Sequence, residues 1–246
     1  MFYLFTNLEF GVEFRRVLSG LVRDRRLQAT IILSGKTRHR PSSDLRSRWD
    51  GVRRAIFIAR HDRQLARLWG LPVRTVENIN SDRFLARIAA SDHGFVAGFN
   101  QIFHDQAIQR FASLVNCHPS LLPFYRGPCP AFWCIHNGER QTGYTFHRVG
   151  REIDQGEILW QEIVPVSPKD TPESLNSRIA ARAALPFERY INSLCGNEAF
   201  ATVRIDPTAV YAHRVDYLSF PTDSDFSALA DRYGDRTDEH AIADRD

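Results

Sequence analysis

The first half of the chain alternates short, continuously apolar runs with stretches whose apolar residues recur every three or four positions. FYLFT (2–6), ATIILSG (29–35), RAIFIA (54–59), GFVAGF (94–99) and SLVNCH (113–118) are runs of strand length. Their β-branched and aromatic content predicts buried strands. Between them lie helical patterns at Val12–Arg23, 61–70, 81–90 and 104–111, with Ser81 placed as an N-cap and Gly70 as a stop. Strand–helix alternation of this kind predicts a mostly parallel sheet with helices on its faces.

The second half changes pattern. PAFWCIHNG (130–138) reads as a short helix ended by Asn137-Gly138, with Phe132 and Trp133 as core. TGYTFHRV (142–149) and ILWQEIVPV (158–166) read as strands, and 170–194 as a long helix. There Thr171 is the expected N-cap, Pro172 the first helical residue and Glu173 a first-turn acid suited to the helix dipole. Pro186 is placed to kink that helix. Beyond Gly196 come YAHRVDYLSF (211–220) and an Asp-rich tail expected to be poorly ordered. The domain expectation is therefore 1–196 as one α/β unit and 197–246 as a short extension. No internal repeat is visible.

Composition adds limits rather than identity. The 246 residues are 43% hydrophobic and 25% charged, which suits one large α/β domain with an appendage or two small domains. MFYLFTNLEF has neither a basic region nor a long apolar core, so it does not read as a signal peptide. No run approaches the ~18 apolar residues of a membrane span. A cytoplasmic, soluble protein is the expectation. Cys117, Cys129, Cys134 and Cys195 form no C-x-x-C pair and read as reduced, buried small hydrophobes.

The net charge of +3 conceals an asymmetry. Residues 1–70 carry fifteen Lys or Arg against six Asp or Glu, whereas 216–246 carry three against nine. The basic excess peaks at 35–54, with seven basic and two acidic residues. Such a run fits phosphate groups, whether of a nucleic acid or a nucleotide diphosphate, or simply a solvated loop.

The candidate chemistry sits at the end of the fifth apolar run. In VNCHPSLLPFYRG, Asn116 and His118 are two apart on one strand and face the same way, with Pro119 and Pro123 stiffening the exit. Open α/β sheets bind ligands at the carboxyl ends of their strands. An amide able to donate to an oxygen, beside an imidazole able to move a proton, is a minimal kit for acyl transfer. Asp154, in REIDQGEIL between the last two strands, supplies a carboxylate to orient the ring. Taken alone, Asp154 reads equally as a turn cap ahead of Gly156, and His147 as structural or substrate-adjacent.

NCHPSLLPFYRG, NGERQTGYTFHRV, REIDQGEILWQE and DTPESL together resemble the catalytic domain of the formyltetrahydrofolate-dependent formyltransferases. The resemblance is clear from Gly94 to Leu175. It implies the Rossmann-like, mostly parallel α/β sheet of the formyltransferase fold, with a short C-terminal extension here. It implies that Asn116 holds the formyl oxygen, that His118 is general acid and base, and that Asp154 orients His118. A pterin pocket is implied at Asn100, Gln101, Ile102 and Phe103 and at Gly150, Arg151, Glu152 and Ile153. Substrate contacts are implied at Ser120, Tyr125 and Arg126. The resemblance also implies 10-formyltetrahydrofolate as the co-substrate and the use of no metal.

Within the resemblance, three kinds of enzyme differ by features of this chain. The tRNA enzymes resemble two-domain proteins, and only about fifty residues follow Gly196 here. The glycinamide ribonucleotide enzymes carry a Gly-rich phosphate loop where this chain has TNLEFGVEF. The run Tyr125, Arg126, Gly127, Trp133, Asn137, Gly138, Glu139, Thr142, Gly143, His147 is most similar to the sugar N-formyltransferases. The expected substrate is a nucleotide-linked 4-amino-4,6-dideoxyhexose of the kind used in lipopolysaccharide O-antigen synthesis. Another small amine is the alternative, and a non-catalytic folate-binding member is the alternative of a different class. No nucleic acid or membrane partner is expected, and the oligomeric state is left open, a homodimer included.

Overall fold

The computed structural model describes residues 1–7, 10–24, 27–35, 60–196 and 199–229. Strand β1 (Phe2–Thr6) lies inside the sheet because it is apolar on both faces. Phe2 and Leu4 point into one core with Phe14, Phe95 and Phe187, while Phe5 points into the other with Phe84, Phe103 and Phe111. β1 pairs in parallel with β2 (Ala29–Ser34) on one side and with β4 (His93–Ala97) on the other. β3 (Val73–Val76) extends the sheet beyond β2, and β5 (Ser113–His118) extends it beyond β4. The order is β3-β2-β1-β4-β5-β6-β7, with β6 (Gln141–Arg148) and β7 (Ile158–Pro165) antiparallel. Chain order reverses between β1 and β4, so the ligand crevice of such a sheet opens at the carboxyl ends of β1 and β4, next to β5.

The first core is closed by α1 (Val12–Arg23) and α6 (Pro172–Leu194). The other helical pieces include α2 (residues 60–69), α3 (Asp82–Leu85), α4 (Asp105–Ile108) and α5 (Pro130–His136). α6 starts at a capping box in which the Thr171 hydroxyl accepts from Ser174 N and Ser174 Oγ accepts from Thr171 N. It runs unbroken through Pro186. Pro186 has no N–H to give the Arg182 carbonyl, and the Tyr144 hydroxyl lies 3.3 Å from that oxygen instead. Phe187, fully buried, meets Phe14 edge-on at 5.0 Å and Phe95 at 4.5 Å between centroids. Phe187→Ala is expected to cost about 3–5 kcal/mol, read as a shifted urea midpoint at unchanged m-value.

Several expectations are corrected. β3 was not expected as a strand; its four residues, VRTV, are too short to show a period. The helices expected at 81–90 and 104–111 shrink to single turns. Ser81 is the N-cap of α3 as expected, though its hydroxyl donates to Asn78 O at 2.7 Å instead of accepting from the first turn. Cys117 and Cys134 are buried, but Cys129 and Cys195 are exposed, each at a helix boundary. The strand expected at 54–59, the basic 36–54 run and the tail beyond 229 lie outside the described residues. Among those described, no helix is long and apolar enough to cross a membrane.

Residues 199–229 of the extension pack against the α/β unit. Tyr211 joins Leu121, Tyr125 and Cys134 in a third apolar cluster. Trp133 Nε1 donates to Ser219 O at 3.0 Å, and Phe226 packs on Phe132 at 4.8 Å.

Candidate active site

The pleat of β5 sends Cys117 into the first core and turns Asn116 and His118 to the opposite face. The antiparallel register sets His147 of β6 directly across from Asn116, and Thr145 across from His118. The loop joining β6 to β7 then brings Asp154 over the pair. Asp154 holds a left-handed backbone, φ 55°, which Asp tolerates better than most residues. Gly156 follows at a point where any Cβ would overlap the Arg148 carbonyl.

The carboxylate has a partner for each oxygen. Oδ2 accepts from Gly127 N at 2.9 Å and lies 3.5 Å from His118 Nδ1. Oδ1 lies 3.5 Å from His147 Nε2 and accepts from Asn116 Nδ2 at 3.4 Å. Burial pushes the Asp154 carboxyl up, but His118, His147 and the Gly127 N–H outweigh it and hold it well below the usual carboxylate range. Asp154 is therefore an anion at any physiological pH.

His118 is buried, and its Nε2 donates to the Tyr125 carbonyl at 2.8 Å. That bond fixes the tautomer, leaving Nδ1 as the nitrogen that gains and loses a proton beside Asp154. Burial lowers the His118 pKa, with His147 adding to it; Asp154 and the Tyr125 carbonyl oppose, and the net shift is downward. Near neutrality the ring is thus a neutral base whose protonated form has an acceptor at each end.

Asn116 Nδ2 approaches His147 Nε2 at 3.0 Å, and His147 Nδ1 donates to Arg148 O at 3.0 Å. His147 Nε2 therefore accepts, and one amide hydrogen of Asn116 is held there. The second is held only by the 3.4 Å contact to Asp154, long enough to yield to a better acceptor.

Beside Asp154 opens a cavity of about 260 Å³ whose wall includes Pro123, Arg126, Gln155, Ile158 and Asp216. The Arg126 guanidinium in it pairs with Asp216. A larger cleft, about 620 Å³, sits at the other end of the strands around Met1, Ala29 and Pro72, away from this cluster. Its lining offers no acid–base constellation, so the smaller cavity is the better candidate.

The other expected site residues fall into two groups. Asn100–Phe103 follows β4 and Gly150–Ile153 follows β6, and Arg151 lies 4.0 Å from Asp105, the first residue of α4. Ile102 and Ile153 are exposed there, whereas the Gln101 amide is spent on Ile79 N, Ser34 Oγ and Val76 O, and Phe103 is buried in the second core. Ser120 and Tyr125 are corrected as substrate contacts. Both are fully buried; the Ser120 hydroxyl donates to Phe124 O and the Tyr125 hydroxyl to Glu139. They shape the loop instead.

Sequence reading missed the residues that hold this loop. Thr145 Oγ1 donates to Ser120 O at 2.7 Å and accepts from Leu122 N, while Gln161 Nε2 donates to Leu122 O at 2.9 Å. The available signal was a buried-face polar residue on each of two largely apolar strands. Among the described residues, no group of three His, Cys, Asp or Glu is arranged to hold a metal ion.

Residues 75–187, which contain every member of this cluster, match the family model described as formyl transferase. The GDP-perosamine N-formyltransferase of Brucella melitensis is 42% identical over 104 residues, covering 42% of this chain and 39% of that protein. The methionyl-tRNA formyltransferase of Roseiflexus castenholzii is 35% identical over 153 residues, covering 61% of this chain and 47% of that protein. The chain thus spans less than half the length of these curated relatives. A sugar N-formyltransferase from a Shewanella species superposes with a TM-score of 0.61 at 18% identity, covering 94% of this chain and 87% of that one. An N-formyltransferase from Helicobacter canadensis, solved with folinic acid and dTDP-3-aminofucose, gives 0.57 at 17% identity, covering 94% and 79%. At such identities the superpositions speak for the fold alone. The sequence match over 75–187 and the fold point the same way: this part of the chain is similar to the formyl transferase family.

Proposed function

We propose that the protein transfers a formyl group from 10-formyltetrahydrofolate to the amine of a nucleotide-linked amino sugar, a 4-amino-4,6-dideoxyhexose. The observation that carries the reading is the Asn116–His118–Asp154 cluster, whose Asp154 lines a cavity that also holds Arg126. Its elements can do each part of the chemistry. His118 Nδ1 takes the proton of the attacking amine and returns it to the departing folate nitrogen. Asn116 turns its loosely held N–H to the formyl oxygen as negative charge gathers there. Asp154 balances the imidazolium that forms between the two proton transfers.

The folate is a co-substrate that supplies an activated formyl carbon. The loops Asn100–Phe103 and Gly150–Ile153 fit its pterin: Ile102 and Ile153 offer exposed apolar surface beside main-chain polar groups. Arg126 fits the diphosphate, because a guanidinium matches phosphate oxygens and Asp216 is a partner that such an anion can displace. The curated relatives include a GDP-perosamine N-formyltransferase, 42% identical over 104 residues, which supports a sugar nucleotide as the acceptor.

The test is tetrahydrofolate release on mixing the protein with 10-formyltetrahydrofolate and a panel of amines. Turnover is expected with a nucleoside-diphosphate 4-amino-4,6-dideoxyhexose and is expected to weaken as salt screens the phosphate contacts. Little is expected with the same sugar lacking its nucleotide. Better turnover of glycinamide ribonucleotide or charged initiator tRNA, or equal turnover of the bare sugar, overturns the sugar-nucleotide reading. Folate binding with no turnover of any amine overturns catalysis.

A further inference from the structure

Residues 125–127 face two ways. Toward the site, the Tyr125 carbonyl accepts from His118 Nε2 and Gly127 N donates to Asp154 Oδ2. Away from it, Tyr125 N donates to Val215 O and Arg126 N to Asp216 O, both at 2.9 Å, and Leu218 N returns a bond to Arg126 O at 3.0 Å. One backbone partner of each member of the His118–Asp154 pair therefore comes from a short stretch clamped from behind by the C-terminal extension.

That stretch is not relaxed. Tyr125 sits at φ 57°, a conformation that a side-chain-bearing residue keeps only where its surroundings impose it. Gly127 sits at φ 93°, and a Cβ there would lie 2.5 Å from Leu218 O. The extension approaches so closely that only glycine fits.

Glu139 fastens the arrangement. It is buried in the loop after α5, with a side chain only 1% exposed. Oε1 accepts from the Tyr125 hydroxyl at 2.7 Å and from His213 N at 2.9 Å; Oε2 accepts from Ala212 N at 2.8 Å. The same carboxylate thus holds the far end of the Tyr125 side chain and the start of the clamping segment. Tyr211, next in the chain before Ala212, accepts from Leu121 N at 2.8 Å and fixes the near side of the loop.

We propose that residues 211–218 are a positioning strap for His118 and Asp154, and that Glu139 is the positioning residue that anchors it. The strap lies beyond the 75–187 segment matched to the family, so the proposal gives the extension a part in the chemistry. Only its kinetic arm rests on the formyl-transfer reading.

Two variants test it. Glu139→Gln keeps the shape but sets an NH2 against main-chain N–H donors; Tyr125→Phe removes a single hydroxyl. In each, kcat is expected to fall by between about 10- and 10²-fold with KM changed far less, the scale of a small misplacement of reacting groups. The ring faces Asp154 from the β6–β7 loop, His147 and Asn116 from the strands, and the Tyr125 carbonyl. Loosening the carbonyl removes an influence that raises the His118 pKa, so the acid limb of the rate profile should move to lower pH.

The decisive reading is ¹⁵N NMR of the His118 ring in the folded protein without substrate. The wild type should show the Nε2–H tautomer, and the variants a mixture titrating at lower pH. A variant that loses melting temperature while His118 keeps its tautomer and titration, with activity per folded molecule intact, overturns the strap. Should the NMR change appear but no amine be formylated, the functional reading fails and the strap stands. If Glu139→Gln does not fold, Tyr125→Phe decides alone.

Discussion

His118→Ala is expected to lower formyl transfer by roughly 10²–10⁴-fold, the scale of a positioned acid–base group. The residue has no substitute nearby. His147 is the other imidazole in the cluster, but its Nδ1 donates to Arg148 O and its Nε2 faces Asn116, so it has no exchangeable position toward substrate. Binding of the folate should survive, because the loops assigned to it lie on other elements. The pH profile supplies the sharper check. Burial holds the His118 pKa below its ordinary 6.5, so the wild-type rate should fall on the acid side with an apparent pKa under that value. The alanine variant should lack that limb.

The same shift has a stability consequence with a definite sign. A histidine whose folded pKa is depressed favours the neutral state on folding, so its contribution is present above 6.5 and lost as pH falls through the folded value. Wild-type melting temperature should therefore decline below about pH 6.5 more steeply than that of the variant. Turnover near wild type in His118→Ala sinks the assignment of the base.

How much of this was legible beforehand depended on what each signal reports. β1 and β5 were placed to the residue, because continuous apolar runs between polar breaks admit few alternatives. β5 carried the site with it: a spacing of two on a strand means one face, whatever the rest of the chain does. Asp154 was readable as a partner only in combination, since its own loop is compatible with a simple turn. Tyr125 and Ser120 were misread. An aromatic and a hydroxyl beside Arg126 look like ligand contacts, yet Tyr125 turns inward through a positive φ that no non-glycine residue announces in sequence. Glu139, Thr145 and Gln161 act through contacts with residues far away in the chain, and a local pattern holds no record of such partners. The same is true of the strap, whose Val215, Asp216 and Leu218 contribute backbone atoms rather than side chains.

Asp154→Asn is expected to keep the fold and lose most of the activity. Asparagine accepts the left-handed backbone at φ 55° as readily as aspartate, and its carbonyl can still accept from Gly127 N. The new NH2 replaces an oxygen that lies 3.5 Å from His147 Nε2 and 3.4 Å from Asn116 Nδ2, so only one long contact is given up. Melting temperature should thus change little, whereas Asp154→Ala, with neither the turn preference nor the acceptor, should lose stability. What the amide cannot do is balance a charge. The imidazolium on His118 would form in a buried site with His147 nearby and no anion, so turnover should drop by about 10²-fold or more. Asp154 is the group that most raises the His118 pKa against burial, so the acid limb should move to lower pH even as the plateau falls. A limb that stays in place with a lowered plateau would point to a role in binding alone. If instead the asparagine variant unfolds readily yet keeps its activity per folded molecule, Asp154 is a turn cap, and the anion opposite His118 must be sought elsewhere.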